Sequence, residues 1–464
     1  MKKSRLITVF YTLSGKELRE LSKWVRSPFI NQQESIVHLF DYLTECRQQL
    51  QLVPSKAQAF GKVFPDQAYQ DVKLRLLMSD LLKIIERYLV HADYFQDPIK
   101  VKLRLATLYR QRQLDSQFER TSRDIRRLQE RSQLRDANYY YDSYREQLEQ
   151  FQFVSSTQPT GELQFQQMSK TLDIAFLAFK LRQSCLQLSQ QTVYKSGMDS
   201  SFPSDLLHYI EQRYLEEPVI RIYYHCYRSL TLPEEEGDFR QFRRLLQEDD
   251  SIFTDIELRD LYLLAINFCI RRVNNEEHHY YNEVLQLYKT GLARGYLTEQ
   301  GQLSRFTYHN IVVAGLRSGE YSWVEQFIHD YKEQLERRYQ DSSFSFNLAR
   351  LEYFRKNYSP ALELLQKSNY KDLLLNLAAK TVLLKIYFEL EELSLLDSHL
   401  EAMNMFIRRK KVIGYHQTNY LNIIQYTKKL MAVNPYDRAD RLRLRQQIEA
   451  EEILTEREWL LEQL

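Results

Sequence analysis

Glycine and proline are scarce in this chain. It has 11 glycines and 10 prolines in 464 residues, whereas average usage would supply about 56 of the two together. The 60 residues between Pro98 and Pro159 contain neither. Hairpin turns and phosphate-binding loops need such residues, so their scarcity argues against a β-rich fold and favours helices joined by short connections. The sequence predicts an all-α fold.

Cysteine is also rare, and its spacing excludes two common uses. The chain has four cysteines, at Cys46, Cys185, Cys226 and Cys269. None forms a Cys-x-x-Cys pair, and the scattered positions fit neither a zinc site nor a disulfide framework. We expect free thiols, mostly buried, in a reducing cytoplasm.

Long apolar runs are missing. The longest uncharged apolar run, from Leu261 to Ile270, has ten residues, whereas a membrane-spanning helix needs about 18. The basic start at Lys2 and Lys3 precedes an apolar stretch that is too short and too polar for an export signal. We therefore expect a soluble, cytoplasmic protein without a membrane span.

Neither sign of charge is in excess. The chain has 64 basic and 62 acidic residues, a net charge of +2, which gives no general drive toward nucleic acid. Eight arginines against four acids lie between Arg110 and Arg135, and acids at helical spacing there favour an exposed helix with salt bridges. Phosphate binding remains the alternative for this stretch. It also remains open for a second basic block, which consists of Arg408, Arg409, Lys410 and Lys411.

Helix signals divide the chain into three predicted parts. Residues 1–95 carry four helical stretches, the first starting at a capping box of Ser14 and Glu17, and we expect them to form an N-terminal bundle. Residues 96–235 form a degenerate helical-hairpin region, with loops predicted at 155–161 and 196–203. Residues 236–464 form a repeat solenoid. Its predicted C-terminal cap is an amphipathic helix over residues 450–464.

The last third of the chain repeats itself. Equivalent positions recur at steps of 37 and then 35 residues. Three such series are Ile311, Leu348 and Leu383; Tyr321, Tyr358 and Leu393; and Val324, Ala361 and Leu396. A period near 34 with two helices in each unit indicates a helix-turn-helix solenoid, whose units stack to cover each other's apolar faces.

These repeats resemble the tetratricopeptide repeat family. The resemblance rests on Asn347, Leu348 and Ala349 in a first helix, then on Tyr358 at the turn and Ala361 in the second helix. It is clear over residues 305–411 and degenerate over 99–435. It implies a right-handed α-α superhelix with a concave groove, lined mainly by the first helix of each repeat.

Helical spacing within the repeats predicts the groove lining. The predicted groove residues are His309, Val313, Arg317, Phe346, Arg350, Tyr353, Lys385 and Phe388. Aromatic rings with Arg and Lys suit an extended or helical peptide that carries acidic groups. Some family members clamp a C-terminal carboxylate with Lys and Asn. The matching positions here hold Val313, Arg350 and Lys385, so that clamp is not implied.

No motif for catalysis, cofactor or metal binding occurs. Phosphate-binding loops, nucleophile elbows and HExxH helices are absent. The run from Glu276 to His279 contains adjacent histidines, which point about 100° apart on a helix and rarely share an ion. His225 and Cys226 lie in an aromatic run that indicates packing. We expect a scaffold that binds a protein or peptide in its groove without catalysis or cofactor; the alternative is a regulatory nucleic-acid-binding protein.

Overall fold

The computed structural model of the chain is built of α-helices. It describes residues 1, 4–50, 53–157, 165–194, 202–248, 250–299, 301–367, 370, 372–409 and 414–464. Within these ranges the only strands are β1 (Thr298–Glu299) and β2 (Gln302–Leu303), which pair as an antiparallel hairpin. The predicted all-α class is confirmed. In the same ranges no helix is long and apolar enough to cross a membrane.

The chain forms two compact units, residues 1–180 and 181–464. The division falls within a single long helix, α9. The finer divisions that the sequence suggests, after residues 95 and 235, stay predictions. The helices of the first unit are α1 (Arg5–Phe10), α2 (Gly15–Val25), α3 (Glu34–Leu50), α4 (Lys56–Val63), α5 (Asp71–Tyr94), α6 (Pro98–Gln111), α7 (Asp115–Arg131), α8 (Ala137–Thr157) and the first part of α9 (Phe165–Tyr194).

Helices α1–α5 share one apolar core. The predicted capping box begins α2: Ser14 Oγ accepts from the Glu17 N–H at 3.2 Å, and Glu17 Oε2 accepts from the Ser14 N–H at 2.6 Å. Helix α1 was not predicted, although Ser4 caps it. Its fully buried Phe10 packs edge-on against Phe40 of α3, with ring centroids 5.9 Å apart.

The predicted loop at residues 155–161 is wrong at its start, because α8 continues through Thr157. The Ser156 hydroxyl donates to the Phe153 carbonyl at 2.8 Å, so this polar side chain is satisfied by the helix itself. Residues 158–161 lie outside the described residues, as do residues 196–201 of the second predicted loop.

The second unit is a succession of helices that pack on their neighbours in sequence. Helix α15 also contacts α17, and α17 contacts α19. After the end of α9 the helices are α10 (Ser204–Arg213), α11 (Pro218–Thr231), α12 (Glu236–Glu248), α13 (Asp255–Asn274), α14 (Tyr280–Ala293), α15 (Arg305–Arg317), α16 (Tyr321–Asp330), α17 (Gln340–Phe354), α18 (Tyr358–Lys367), α19 (Leu373–Glu389), α20 (Leu393–Arg409), α21 (Tyr415–Ala432), α22 (Arg438–Ala450) and α23 (Arg457–Glu462).

One turn geometry closes the first helix of five helix pairs. A residue with positive φ follows each helix: Gln113, Glu276, Gly319, Lys356 and Glu391. The next N–H donates to the carbonyl five residues earlier, as Glu320 does to Gly315 at 3.0 Å, which is the Schellman arrangement. Helices α16, α18 and α20 then begin at Tyr321, Tyr358 and Leu393. The second unit is therefore repeat-like, with the spacing that the sequence predicts.

Candidate functional site

Three first helices, α15, α17 and α19, carry the predicted groove residues. We call these eight residues the groove face: His309, Val313 and Arg317 on α15, Phe346, Arg350 and Tyr353 on α17, and Lys385 and Phe388 on α19. The α15–α17 and α17–α19 contacts bring them together. Phe346, Tyr353 and Lys385 are buried, whereas Arg317 reaches the surface.

Two cavities lie against the groove face. One of about 530 Å³ is lined by Arg317, Arg350, Tyr353 and Lys385, among others. The other, of about 340 Å³, is lined by His309, Phe346 and Arg350. Val313, Arg350 and Glu456 line both cavities. Seven of the eight groove-face residues therefore line one or both of these cavities, and the eighth, Phe388, is partly exposed.

A segment of the same chain lies on the groove face. Residues 451–456 leave α22 without helical structure, and α23 follows them, so the single capping helix predicted over residues 450–464 is wrong. Glu456 has a left-handed backbone (φ 56°), which separates α22 from α23. Trp459 and Leu460 then pack into the apolar core beneath. We call residues 451–459 the acidic strap.

Glu456 of the acidic strap faces the basic side chains of the groove face. Its carboxylate accepts a hydrogen bond from Lys385 Nζ at 2.8 Å. Burial alone would raise the pKa of Glu456, but the nearby charges of Lys385, Arg350 and Arg317 outweigh it, so the pKa is lowered. The carboxylate is therefore held ionised by this cluster of cations.

The next residues of the acidic strap make further ion pairs. Glu458 contacts Arg317 at 3.0 Å and His278 at 2.9 Å. Arg457 contacts Glu276 at 3.1 Å. The strap thus reaches from α19, through α15, to the turn between α13 and α14. Glu456, Arg457 and Glu458 alternate in charge, and each contacts a partner of opposite charge. A shift of the strap by one residue would bring like charges together, so these contacts fix its register on the face.

Glu389, at the end of α19, connects the acidic strap to a neighbouring helix pair. Its carboxylate accepts from Trp459 Nε1 at 2.8 Å, from Lys356 Nζ at 2.9 Å, and from the hydroxyls of Tyr353 and Tyr358. Burial would raise the pKa of Glu389, but the hydrogen bonds dominate and lower it to about 2. The Trp459 ring also packs edge-on against Phe388, with centroids 5.4 Å apart.

Arg350 has no directly bonded counter-charge in the described part of the chain. Its guanidinium lies over the Phe346 ring at 5.5 Å and feels the charge of Glu456 only at longer range. Burial lowers the pKa of Arg350, and the nearby charge of Arg317 adds to this effect. A half-buried guanidinium that borders two cavities is suited to donate hydrogen bonds to a carboxylate of a ligand.

His309 is held neutral beside Phe346. Burial lowers its pKa to about 4, although the hydrogen bond with Asn347 opposes this. Asn347 Nδ2 donates to His309 Nδ1 at 2.8 Å, because the amide nitrogen has no lone pair to accept. His309 therefore lines the smaller cavity as a neutral imidazole, without charge near pH 7.

A larger cavity, of about 900 Å³, lies beside β1 and β2 and shares Arg305 and Phe306 with the smaller of the two cavities above. It is lined by several arginines, but each of these already has an acidic partner. The pairs are Arg259 with Glu299, Arg294 with Asp250, Arg305 with Asp372, and Arg338 with Glu336. All four of these arginines are neutralised internally, whereas Arg350 on the groove face has no directly paired acid among the described residues, so this cavity gives a weaker signal for a charged ligand.

One group of metal-type ligands occurs among the described residues. Ligand atoms of Glu236, Glu277 and His279 lie within 4.8 Å of one another. Arg272 already pairs with Glu277 at 2.5 Å and lies 4.0 Å from Glu236, so a guanidinium neutralises these carboxylates. His278 points elsewhere, to Glu458. The adjacent histidines point to different partners, but they lie in the turn before α14 and not on a helix, so the predicted helical spacing does not apply to them.

The residues that contact the groove face from elsewhere in the chain were missed by sequence reasoning. They are three acids, Glu389, Glu456 and Glu458, and one tryptophan, Trp459. None was singled out, because the partners of the acidic strap lie far away along the chain. Lys385 and Glu456 are 71 residues apart, for example. Charge complementarity between the basic groove residues and the acids near position 456 was the available signal.

Comparison with known proteins identifies no relative of this chain. No family model matches the chain, and neither the curated proteins nor the solved structures include a significant match. The fold and the site must therefore be interpreted from the chain's own residues.

Proposed function

We propose that the protein is an interaction scaffold whose groove face binds an acidic peptide segment of a partner protein. The observation that carries this proposal is the convergence of Arg317, Arg350 and Lys385 on one cavity. Three cations together favour an anionic ligand, and the aromatic side chains beside them supply contact area. The proposed action is recognition on a preformed surface, without catalysis or cofactor.

The proposal includes a tetratricopeptide-like superhelix in the second unit. Its support is the spacing of 37 and 35 residues between the starts of α16, α18 and α20, together with the shared turn geometry. In such a stack the first helices line the inner surface, so the proposal assigns the groove face of α15, α17 and α19 to that surface. A cytoplasmic location is part of the proposal, and the four free thiols agree with it.

The test is capture of partners by the full chain from its native cell, after nuclease treatment, with identification by mass spectrometry. The informative variant is Arg350→Gln, because this guanidinium makes no direct ion pair with the described residues and glutamine places no second carboxylate beside Glu456. The control is Arg240→Gln, at an exposed arginine on α12. We expect a protein that wild type and control retain and Arg350→Gln loses. Equal recovery by all three chains would refute the proposal.

A second candidate function is nucleic-acid binding by α7. Steps of three and four residues place exposed arginines on one face of this helix, and none forms an ion pair with a described residue. They are Arg120, Arg123, Arg127 and Arg131. Asp124 of α7 forms its ion pair with Lys102 of α6, at 2.8 Å. The near-zero net charge argues against this function.

A salt series distinguishes this second candidate. If α7 binds phosphates, affinity for a 20-nucleotide probe should fall steeply with salt, and replacing the four arginines by Gln should reduce the slope of log K against log salt by roughly three. A control replaces two exposed arginines of α22, Arg438 and Arg441, and should leave the slope at the wild-type value. Equal slopes for all chains would exclude phosphate contacts by α7.

A further inference from the structure

We propose that the acidic strap is a resident ligand of the groove face, and that the partner carries a segment of the same chemistry that replaces it. This inference rests on the proposed function, that the groove face binds a peptide. The partner segment would contain two carboxylates separated by one residue and followed by tryptophan, as in Glu456, Arg457, Glu458 and Trp459.

The first argument is charge. Without the acidic strap, Arg317, Arg350 and Lys385 would face each other across one cavity, and like charges at short range repel. Among the described residues, the strap's Glu456 and Glu458 provide the carboxylates in direct contact with Lys385 and Arg317. An acidic ligand is thus what the face requires, and the chain supplies one.

The second argument is the kind of contact that holds the acidic strap. Glu456, Glu458 and Trp459 contact the face through side-chain atoms. The strap's backbone is also held locally, where the Ile453 carbonyl accepts from Asn422 Nδ2 at 2.9 Å. Because recognition of the face uses side chains, a separate peptide with the same residues can make the same contacts.

The third argument is the tryptophan. Trp459 is buried, packs against Phe388 and donates its indole N–H to Glu389. Aromatic residues that combine burial with one hydrogen bond are the usual anchors of protein interfaces. A partner segment would need a side chain with both properties at this position, and tryptophan provides them.

The fourth argument is the unfilled space. Cavities of about 530 and 340 Å³ remain on either side of Glu456, and Arg350 borders both. The acidic strap therefore covers only part of the face. A partner that adds a third carboxylate at Arg350 gains a charge-assisted hydrogen bond that the strap does not make. This difference gives the partner an advantage over the resident segment.

The experiment uses the full chain and a fluorescent peptide of residues 451–464, with binding followed by anisotropy. In wild type the tethered strap competes at an effective concentration of about millimolar, so the peptide should bind weakly. The variant Glu456→Gln/Glu458→Gln loosens the tethered strap while keeping Trp459 and side-chain volume. We expect this variant to bind the peptide at least about tenfold more tightly than wild type does.

Two controls make the result specific. Glu449→Gln/Glu462→Gln removes the same charge from residues outside the network and should leave peptide affinity at the wild-type value. A peptide in which both matching glutamates are Gln and the tryptophan is Ala should not bind the loosened chain. Adding Lys385→Glu to the loosened chain should abolish binding of the unmodified peptide.

Hydrogen exchange provides a second measurement. It uses the wild-type chain, so it does not depend on the stability of the variant. In wild type, amides of residues 451–459 should lose protection when an excess of the peptide is added. Equal affinity of the wild-type and loosened chains, or unchanged protection, would show an integral structural element and overturn the inference. If the peptide fails while an Arg350-dependent partner is still captured, the inference is wrong and the proposed function stands.

Discussion

A carboxylate surrounded by four hydrogen-bond donors strongly constrains its neighbours, and Glu389 is such a group. Its donors come from the end of α17, from the start of α18 and from the acidic strap. The side chain is only 9% exposed. Loss of this one negative charge would leave Lys356 without its partner and weaken the anchor of Trp459, so its effect should extend beyond one contact.

The variant Glu389→Gln tests this role. A carboxyl whose pKa falls from 4.5 to about 2 on folding contributes about 3 kcal/mol of stability above pH 4.5. This contribution is lost as the pH falls from about 4.5 toward 2. We expect the variant to lose about 3 kcal/mol at pH 7 in urea unfolding, and to show a flatter stability profile below pH 4.5.

The matched control for this variant is Glu392→Gln, an exposed glutamate three residues further along the chain. Its change in the free energy of unfolding should lie within about 0.5 kcal/mol. A similar small change for Glu389→Gln would show that its hydrogen bonds do not stabilise the unit.

His309 should produce a separate pH dependence. Its pKa falls from 6.5 in the unfolded chain to about 4 in the fold, so the unfolded chain binds more protons between these values. The stability is present above pH 6.5 and is lost as the pH falls toward 4, by about 3 kcal/mol. We expect His309→Gln to remove the decline between pH 6.5 and 4.5, measured by urea unfolding. An unchanged decline would assign it to other groups.

At the scale of residues, helical spacing predicts relations within one helix. A step of four places Phe346 and Arg350 on one side of α17, where both line the smaller cavity, because helical geometry is local. It could not predict Glu456 or Trp459, whose contacts join positions 71 and 70 residues apart. Those depend on how α21, α22 and α23 return over the face, which no local pattern specifies.

At the scale of elements, Gly315 sets how closely α15 and α16 approach. A Cβ added there would lie 2.3 Å from Val324 Cγ2, and Val324 is fully buried. We expect Gly315→Ala to destabilise the second unit by about 1–3 kcal/mol through overpacking, measured by urea unfolding. Gly237→Ala on α12 is the control, because a Cβ there meets nothing within 4 Å. It should be neutral or stabilise by up to about 1 kcal/mol, and a similar loss in both variants would contradict the packing argument.

The starts of the second helices were predictable, and the conformation of the turns before them was not. A recurring hydrophobic pattern identifies Tyr321, Tyr358 and Leu393 as equivalent, because each must pack into the same kind of interface. Only the first of the three turns has glycine, at Gly319. Lys356 and Glu391 adopt the same left-handed backbone, although neither is a residue type that predicts this conformation from sequence.

At the scale of the molecule, the scarcity of turn-forming residues was sufficient for the fold class. The division into compact units was harder to foresee, because it lies inside α9, a helix of 30 residues. No glycine or proline marks it, and a compact unit is defined by contacts rather than by composition. Handedness and partner identity are likewise properties of the assembled surface.

The reactivity of the cysteines tests which thiols are buried in each unit. Cys185, Cys226 and Cys269 are buried in the second unit, whereas Cys46 in the first is partly exposed. Burial also raises the pKa of Cys226 and of Cys269, so their reactive thiolate forms are rare. With a thiol reagent at pH 8, we expect only Cys46 to react rapidly in the native chain and all four to react in urea. Rapid labelling of any thiol in native Cys46→Ser would contradict the described core.

The shared turn has a consequence for how such a chain diverges. Its hydrogen bonds join backbone atoms, so the left-handed position accepts Gln113, Glu276, Lys356 or Glu391 as well as glycine. A non-glycine residue there costs about 1 kcal/mol and leaves the geometry intact. Mutational drift can therefore erase the sequence signature of a repeat while its shape persists. A sequence profile built from residue identities therefore fails to detect such a repeat before its architecture changes.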